Sequence, residues 1–202
     1  MLRIVEECLT WSVFNEEKQI NFNGYYLLTP RGHVLIDPPV MSDQEISEVE
    51  FLAKPIKIYL TNKHHTRASA AHRERWGVPI HVHQDDAPLM EIKVDGTFAD
   101  GEILEDALEV VRIPDAKTPG ECAFYWTQQK ILIVGDAMIG KPGGALSILP
   151  DEKFKNPELA KQGLAVLRGL DYDKLLVGDG QSILSGAKPM VDELIQQLLA
   201  AS

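Results

Sequence analysis

Ile58-Tyr59-Leu60-Thr61-Asn62-Lys63-His64-His65-Thr66-Arg67-Ala68-Ser69 is an apolar run that stops at a polar, histidine-bearing turn. Such a run predicts a buried strand whose end lies at the mouth of the fold, and Ala70 to Trp76 predict a helix that carries the chain away. That helix is expected to begin near Thr66 or Arg67. It should close at Gly77, because glycine takes the left-handed conformation that ends helices at little cost. Asn62 and Thr66 are residue types that cap helix starts, so a structural role for them stands beside a ligand-binding one.

Four other turns follow strands or sit in loops in a telling order. Gly32 to Asp37 is a short strand ending on an acid, and Thr118-Pro119-Gly120-Glu121 forms a Pro-Gly turn. Val134-Gly135-Asp136-Ala137 and Val177-Gly178-Asp179-Gly180 each end an apolar strand on Gly-Asp. Together with the 61–67 turn, they resemble the metallo-β-lactamase superfamily, whose hallmark is a strand followed by T-H-x-H-x-D-H. The resemblance spans nearly the whole chain. It implies an α/β (α+β) fold, the four-layer αββα sandwich, and a metal-dependent hydrolase-like activity.

Most metal-ligand positions of that pattern are substituted here. Asn62, Thr66 and Arg67 stand where the first histidine, the aspartate and the last histidine of the motif belong, whereas His64 keeps the second histidine. Glu121 and Asp179 replace later histidines, and Asp136 keeps the bridging carboxylate. The resemblance therefore implies His64, Glu121, Asp136 and Asp179 as donors for at most one divalent ion, with Asp136 and His64 catalytic. An oxygen-rich set favours Mn, Mg or Fe over Zn more than the parent site does. Lys63 and His65 fall on the motif's variable positions, which point away from the site, although a remodelled turn would let His65 act as a general base.

Arg67 cannot be a ligand, since a guanidinium has donors only and a permanent charge. It is expected to fill the vacated metal space and make forked bonds to Asp136, Asp179 or Glu121. Two functions stay open on these residues. One is a divergent hydrolase retaining a single ion. The other is a metal-free, non-catalytic protein that binds a small carboxylate or phosphate through Arg67, Asn62 and Thr66.

Length and composition set the frame. At 202 residues, with 45% hydrophobic and 25% charged residues, the chain suits one domain over 1–202. A formal charge of -10, from 20 basic against 30 acidic residues, argues against a nucleic-acid surface. The expected partner is a small molecule, and self-association stays open. Cys8 and Cys122 form no C-x-x-C pair, and the N-terminus lacks a signal-like apolar block, so a reduced, cytoplasmic protein is expected, with no run able to span a bilayer.

Local patterns complete the reading. Asn23-Gly24 is a plausible turn, and Ser42 to Glu45 has capping-box spacing for a helix to about Leu52. His81 and His83 share one strand face and are read chiefly as solvated, as are His33 and His72. A helix capped by Asn156 should run to about Gly169, and Val191, Leu194, Ile195, Leu198 and Leu199 mark the buried face of a terminal helix. The loops from Pro114 to Thr118 and Gly140 to Leu149 would set specificity.

Overall fold

The computed structural model describes residues 1–200. Strands β1 (Leu2–Val5), β2 (Cys8–Asn15), β3 (Ile20–Thr29), β4 (Gly32–Ile36), β5 (Lys57–Tyr59), β6 (Ile80–His83) and β7 (Gly96–Phe98) form one sheet in chain order. The first four pair antiparallel through tight turns, and β4 to β7 pair in parallel. Parallel neighbours need crossovers. Helices α1 (Asp43–Leu52) and α2 (Ser69–Trp76) supply two of them.

A second sheet contains β8 (Ile103–Leu104), β9 (Leu108–Arg112), β10 (Cys122–Trp126) and β11 (Ile131–Val134). The chain then makes a small hairpin of β12 (Ile139–Gly140) and β13 (Leu146–Ser147), followed by α3 (Pro157–Gly163). It returns as β14 (Lys174–Val177), parallel to β11 at the sheet's edge, and ends in α4 (Ala187–Ala200).

Strand alternation sends successive side chains to opposite faces and creates three apolar layers. Between the sheets lie Tyr25, Ile36 and Tyr59 against Val110, Phe124 and Ile133. Leu35, Ile58 and Ile80 face the other way, onto Val49 of α1 and Trp76 of α2. On the far side, Leu132 and Leu175 pack on Leu167 and on Val191 and Ile195 of α4. Helix, sheet, sheet, helix is the expected αββα sandwich. Burying each such side chain contributes about 1.5–3 kcal/mol. Among the described residues, no helix is long and apolar enough to cross a membrane.

Several local expectations hold and others need correction. Ser42 and Glu45 cap α1 reciprocally, with Glu45 N–H donating to Ser42 Oγ at 3.3 Å and Ser42 N–H to Glu45 Oε2 at 2.8 Å. Asn156 caps α3, which tightens into a 3-10 stretch over Leu164–Gly169. Asn23-Gly24 is not a turn. It lies inside β3, paired with Ser12 and Trp11, because the missing side chain at Gly24 leaves room for the Trp11 indole.

The helix after the motif also begins later than expected. Its N-cap is Ala68, with no side-chain cap, so neither Asn62 nor Thr66 plays that part; Gly77 closes it at φ 67°. His72 and His83 are buried rather than solvated. A ring nitrogen of His72 lies 2.9 Å from Pro39 O and the ring stacks on Trp76, while His83 packs edge-on against Phe98.

Candidate functional site

The turn after β5 is held by two buried acids. Asp37, in the left-handed conformation at φ 45°, accepts from Thr61 N–H at 2.9 Å and Thr61 Oγ1 at 2.6 Å. Asp86 accepts from Lys63 N–H, Thr118 Oγ1 and Gly120 N–H at 2.7–2.8 Å, tying the motif turn to the Pro-Gly turn. Backbone and hydroxyl donors from separate loops converge on each carboxylate, so the two acids fix the loops. Asp37, the acid that ends the Gly32 to Asp37 strand, thus acts as a framework residue. Asp86 carries no sequence signal beyond its charge.

Anchoring by Asp37 draws His65 inward. Its Nδ1 lies 2.7 Å from Asp37 Oδ2 and its Nε2 lies 3.7 Å from Asp136 Oδ1, with the ring buried. The expectation that His65 points away is thus corrected. His64 is the exposed one; its backbone N–H takes the Asn62 side-chain oxygen at 2.8 Å. The i, i+4 spacing of Thr61 and His65, both reaching Asp37, was the signal available.

Arg67 enters the space between the turns at 6% side-chain exposure. Its Nη2 donates to Asp179 Oδ1 at 2.7 Å and to Gly178 O at 2.9 Å, and its Cζ lies 4.5 Å from the centre of the Phe22 ring. The forked bond expected of it does not form: one nitrogen serves both acceptors, and Nη1 is buried without a partner. Gly178 is part of this fit, since a Cβ there would lie 2.4 Å from His65 Cε1 and 3.3 Å from Arg67 Nη2.

Lys117, which the sequence reading missed, donates to Asp136 Oδ2 at 2.8 Å. Only its place beside the Thr118 turn could have flagged it. Asp37, Asp136 and Asp179 thereby each face a basic group: His65, Lys117 and Arg67. Thr66 makes no side-chain bond to any of them; its carbonyl accepts from Ser69 N–H at 2.8 Å.

Glu121 behaves differently. It is fully buried, both carboxyl oxygens lack a hydrogen-bond partner, and so does the neighbouring Asn62 Nδ2. Burial first, and the Asp136 charge second, push its pKa well above the carboxylate range, which disfavours its charged form. For His65 burial alone would lower the pKa, but the Asp37 charge and the Asp136 contact outweigh it and push it up to about 10. Asp136 is the mirror case. Burial works against its charge, but His65 and Lys117 hold its pKa well below the carboxylate range. Partial burial, then the Lys117 charge, lowers that of His64.

Of the four residues expected to hold an ion, Asp136 and Asp179 converge, and His65 joins them in place of His64; donor atoms of the three lie within 4.8 Å of one another. Glu121 and His64 stand outside that group.

The family model described as "Metallo-beta-lactamase superfamily" matches residues 5–198. The chain belongs to this superfamily. Among solved structures, TTHA1623 in a di-iron-bound form is similar at 22% identity and a TM-score of 0.70, covering 91% of this chain and 98% of that one. The metallo-beta-lactamase from Pontibacter korlensis reaches 21% identity and 0.71, with 95% and 97% covered. The DIM-1 metallo-beta-lactamase reaches 0.76 at 14% identity, with 99% and 96% covered. Likeness at such identities establishes the fold and leaves the chemistry to the residues. No curated protein sequence matches the chain.

The two-ion centre implied by the superfamily does not fit these residues. Arg67 would stand beside any ion at Asp179, and the superfamily's T-P-G-H position carries Glu121, whose burial opposes its charged form. Guanidinium is permanently charged and offers no lone pair, so it repels a cation rather than sharing its coordination.

Proposed function

We propose that this chain is a metal-independent member of the superfamily, in which organic cations take over the charge balance that inorganic ions supply in the parent pattern. The observation that carries the reading is the buried contact of Arg67 with Asp179 at 2.7 Å, braced by Phe22. With Lys117 on Asp136, the acids that would attract ions are already paired. An arginine and a lysine so engaged are not free to grip a substrate anion. The old metal space is then a structural centre, and the protein acts by binding a small molecule elsewhere rather than by metal-assisted hydrolysis.

Elemental analysis after purification without chelators tests this. Expected are far less than one metal per chain, a melting temperature unmoved by chelator, zinc or manganese, and no turnover of lactam, thioester or phosphodiester substrates on adding those ions. Two ions per chain, with hydrolysis lost in chelator, would overturn it.

A second reading has its own support in the convergence of His65, Asp136 and Asp179. These three would hold a single ion, which when bound lowers the pKa of its water to about 7. In that case His65 would keep its orientation through Asp37, as metal-bound histidines do through their other ring nitrogen. One ion per chain, with melting raised by manganese or zinc and the rise abolished in His65→Ala, would favour it over the metal-free reading.

A further inference from the structure

The seven-stranded sheet is wider than the sheet that faces it. The second sheet ends at β14, whose edge is clamped by β3: Asn23 Nδ2 donates to Val177 O and Gly180 O, each at 2.8 Å, and Tyr25 OH donates to Val177 O at 2.7 Å. Beyond this seam lie the inner-face residues Leu2, Thr10, Ser12, Asn21 and Asn23 of β1, β2 and β3, whereas Cys8, Tyr25 and Leu27 of the same strands pack between the sheets. The former residues form one wall of a cleft of about 720 Å³, closed opposite by the segments around Gly140 to Pro142 and Gly180 to Leu184. Ligand sites have volumes of about 300–1,000 Å³.

The cleft is separate from the buried centre. Phe22 turns its ring to Arg67, whereas Asn21 and Asn23, on the alternate face of the same strand, line the cleft. Its apolar surface comes from Leu2, Ile4, Phe14, Ile20 and Leu184, and three of these are large exposed side chains: Leu2 at 63%, Phe14 at 50% and Leu184 at 46%. Exposed apolar groups gathered round one concavity mark a binding surface more strongly than the same residues scattered.

Its charge is equally selective. In a chain with 30 acidic residues, none lines the cleft, while Lys18 and Lys141 do. Neither lysine forms an ion pair among the described residues; Lys18 lies 5.2 Å from the centre of the Phe22 ring. Hydroxyl and amide groups of Ser12, Asn21 and Gln181 add hydrogen-bonding capacity at the same surface. Apolar walls, unpaired ammonium groups and an absence of acids together select an anion with a hydrocarbon body.

We propose that this inter-sheet cleft binds an aliphatic carboxylate, its chain along Leu2, Ile4, Phe14 and Leu184 and its head group between Lys18 and Lys141. The site is independent of whether the buried centre takes an ion, so the two questions are answered by separate measurements.

Calorimetric titration of the full chain with decanoate, with decanol as the uncharged counterpart, tests the proposal. Decanoate is expected to bind at least about fivefold more tightly than decanol at low salt, with the advantage shrinking as ionic strength rises. Lys18→Glu combined with Lys141→Glu should weaken decanoate about tenfold and leave decanol unchanged. Ser12→Trp, which fills the cleft from an exposed strand position, should abolish both, with unchanged melting showing that the fold is intact. Equal binding of decanol and decanoate, no binding of either, or decanoate affinity indifferent to all three substitutions would overturn it. So would sedimentation showing a dimer that Ser12→Trp dissociates, since the cleft's occupant would then be a second copy.

Discussion

Arg67 illustrates how one side chain decides the chemistry of a site. Removing it leaves Asp179 buried beside Asp136 with no cation of its own, and breaking one partner of a buried pair costs about 3–5 kcal/mol. Arg67→Ala should destabilise the fold by about that amount in urea denaturation. Arg67→Lys should recover less than half, because an ammonium cannot stack on Phe22 as a planar guanidinium does. If Arg67→Ala instead left stability unchanged, the cation would not be holding the centre together. His65 gives the site a pH signature. Its folded pKa of about 10 lies above the unfolded value near 6.5, so its contribution is complete below pH 6.5 and is lost as pH rises toward 10. Glu121 adds in the same direction: an acid whose folded pKa is raised loses stability once pH exceeds the unfolded value near 4.5. Stability measured from pH 5 to pH 10 should therefore fall, by up to about 1.4 kcal/mol per pH unit per group. Glu121→Gln should change little at pH 5 and stabilise at pH 9.

At the scale of elements, the same centre depends on strand ends meeting at close quarters. Gly178→Ala would drive a methyl into His65 and Arg67, and overpacking of this kind typically costs about 1–3 kcal/mol. Gly77→Ala meets no atom within 4 Å; it pays only for the left-handed helix cap, about 1 kcal/mol. Chemical denaturation of the two variants distinguishes contact from conformation. These elements also show what a sequence can and cannot reveal. Strand ends carrying Asp37, Asp136 and Asp179 were legible because apolar runs stopping at an acid leave few alternatives. So was the capping box of α1. His65 was misread because motif position assigns a direction to each side chain, whereas the actual direction follows from a bond to an acid 28 residues earlier. Lys117 and Asp86 were invisible for a related reason: their partners are 19 and 32 residues away, and no local pattern encodes such distances. The Asn23-Gly24 pair shows the converse error, a turn-forming dipeptide overruled by the packing of Trp11.

On the scale of the whole molecule, the two sheets are joined by an aromatic layer. Phe124 of the second sheet lies 6.1 Å from Tyr59 and 5.6 Å from Phe98, ring centre to ring centre, both on the first. Phe124→Ala should cost about 3–5 kcal/mol and shift fluorescence and circular-dichroism transitions together, since both sheets lose the same contact. Separate transitions would mean that the sheets unfold independently. Strands β1 to β7 lie side by side in the order of synthesis, so that sheet can grow by successive short closures. By contrast, β14 joins β11 in parallel only after a detour of some forty residues, and Arg67 meets Asp179 across 112 positions. Long closures carry the larger entropic cost and come late. The polar heart of this protein is consequently a keystone, set when the arch is already standing: a nascent chain can hold a nearly complete first sheet while its ionic centre has yet to exist.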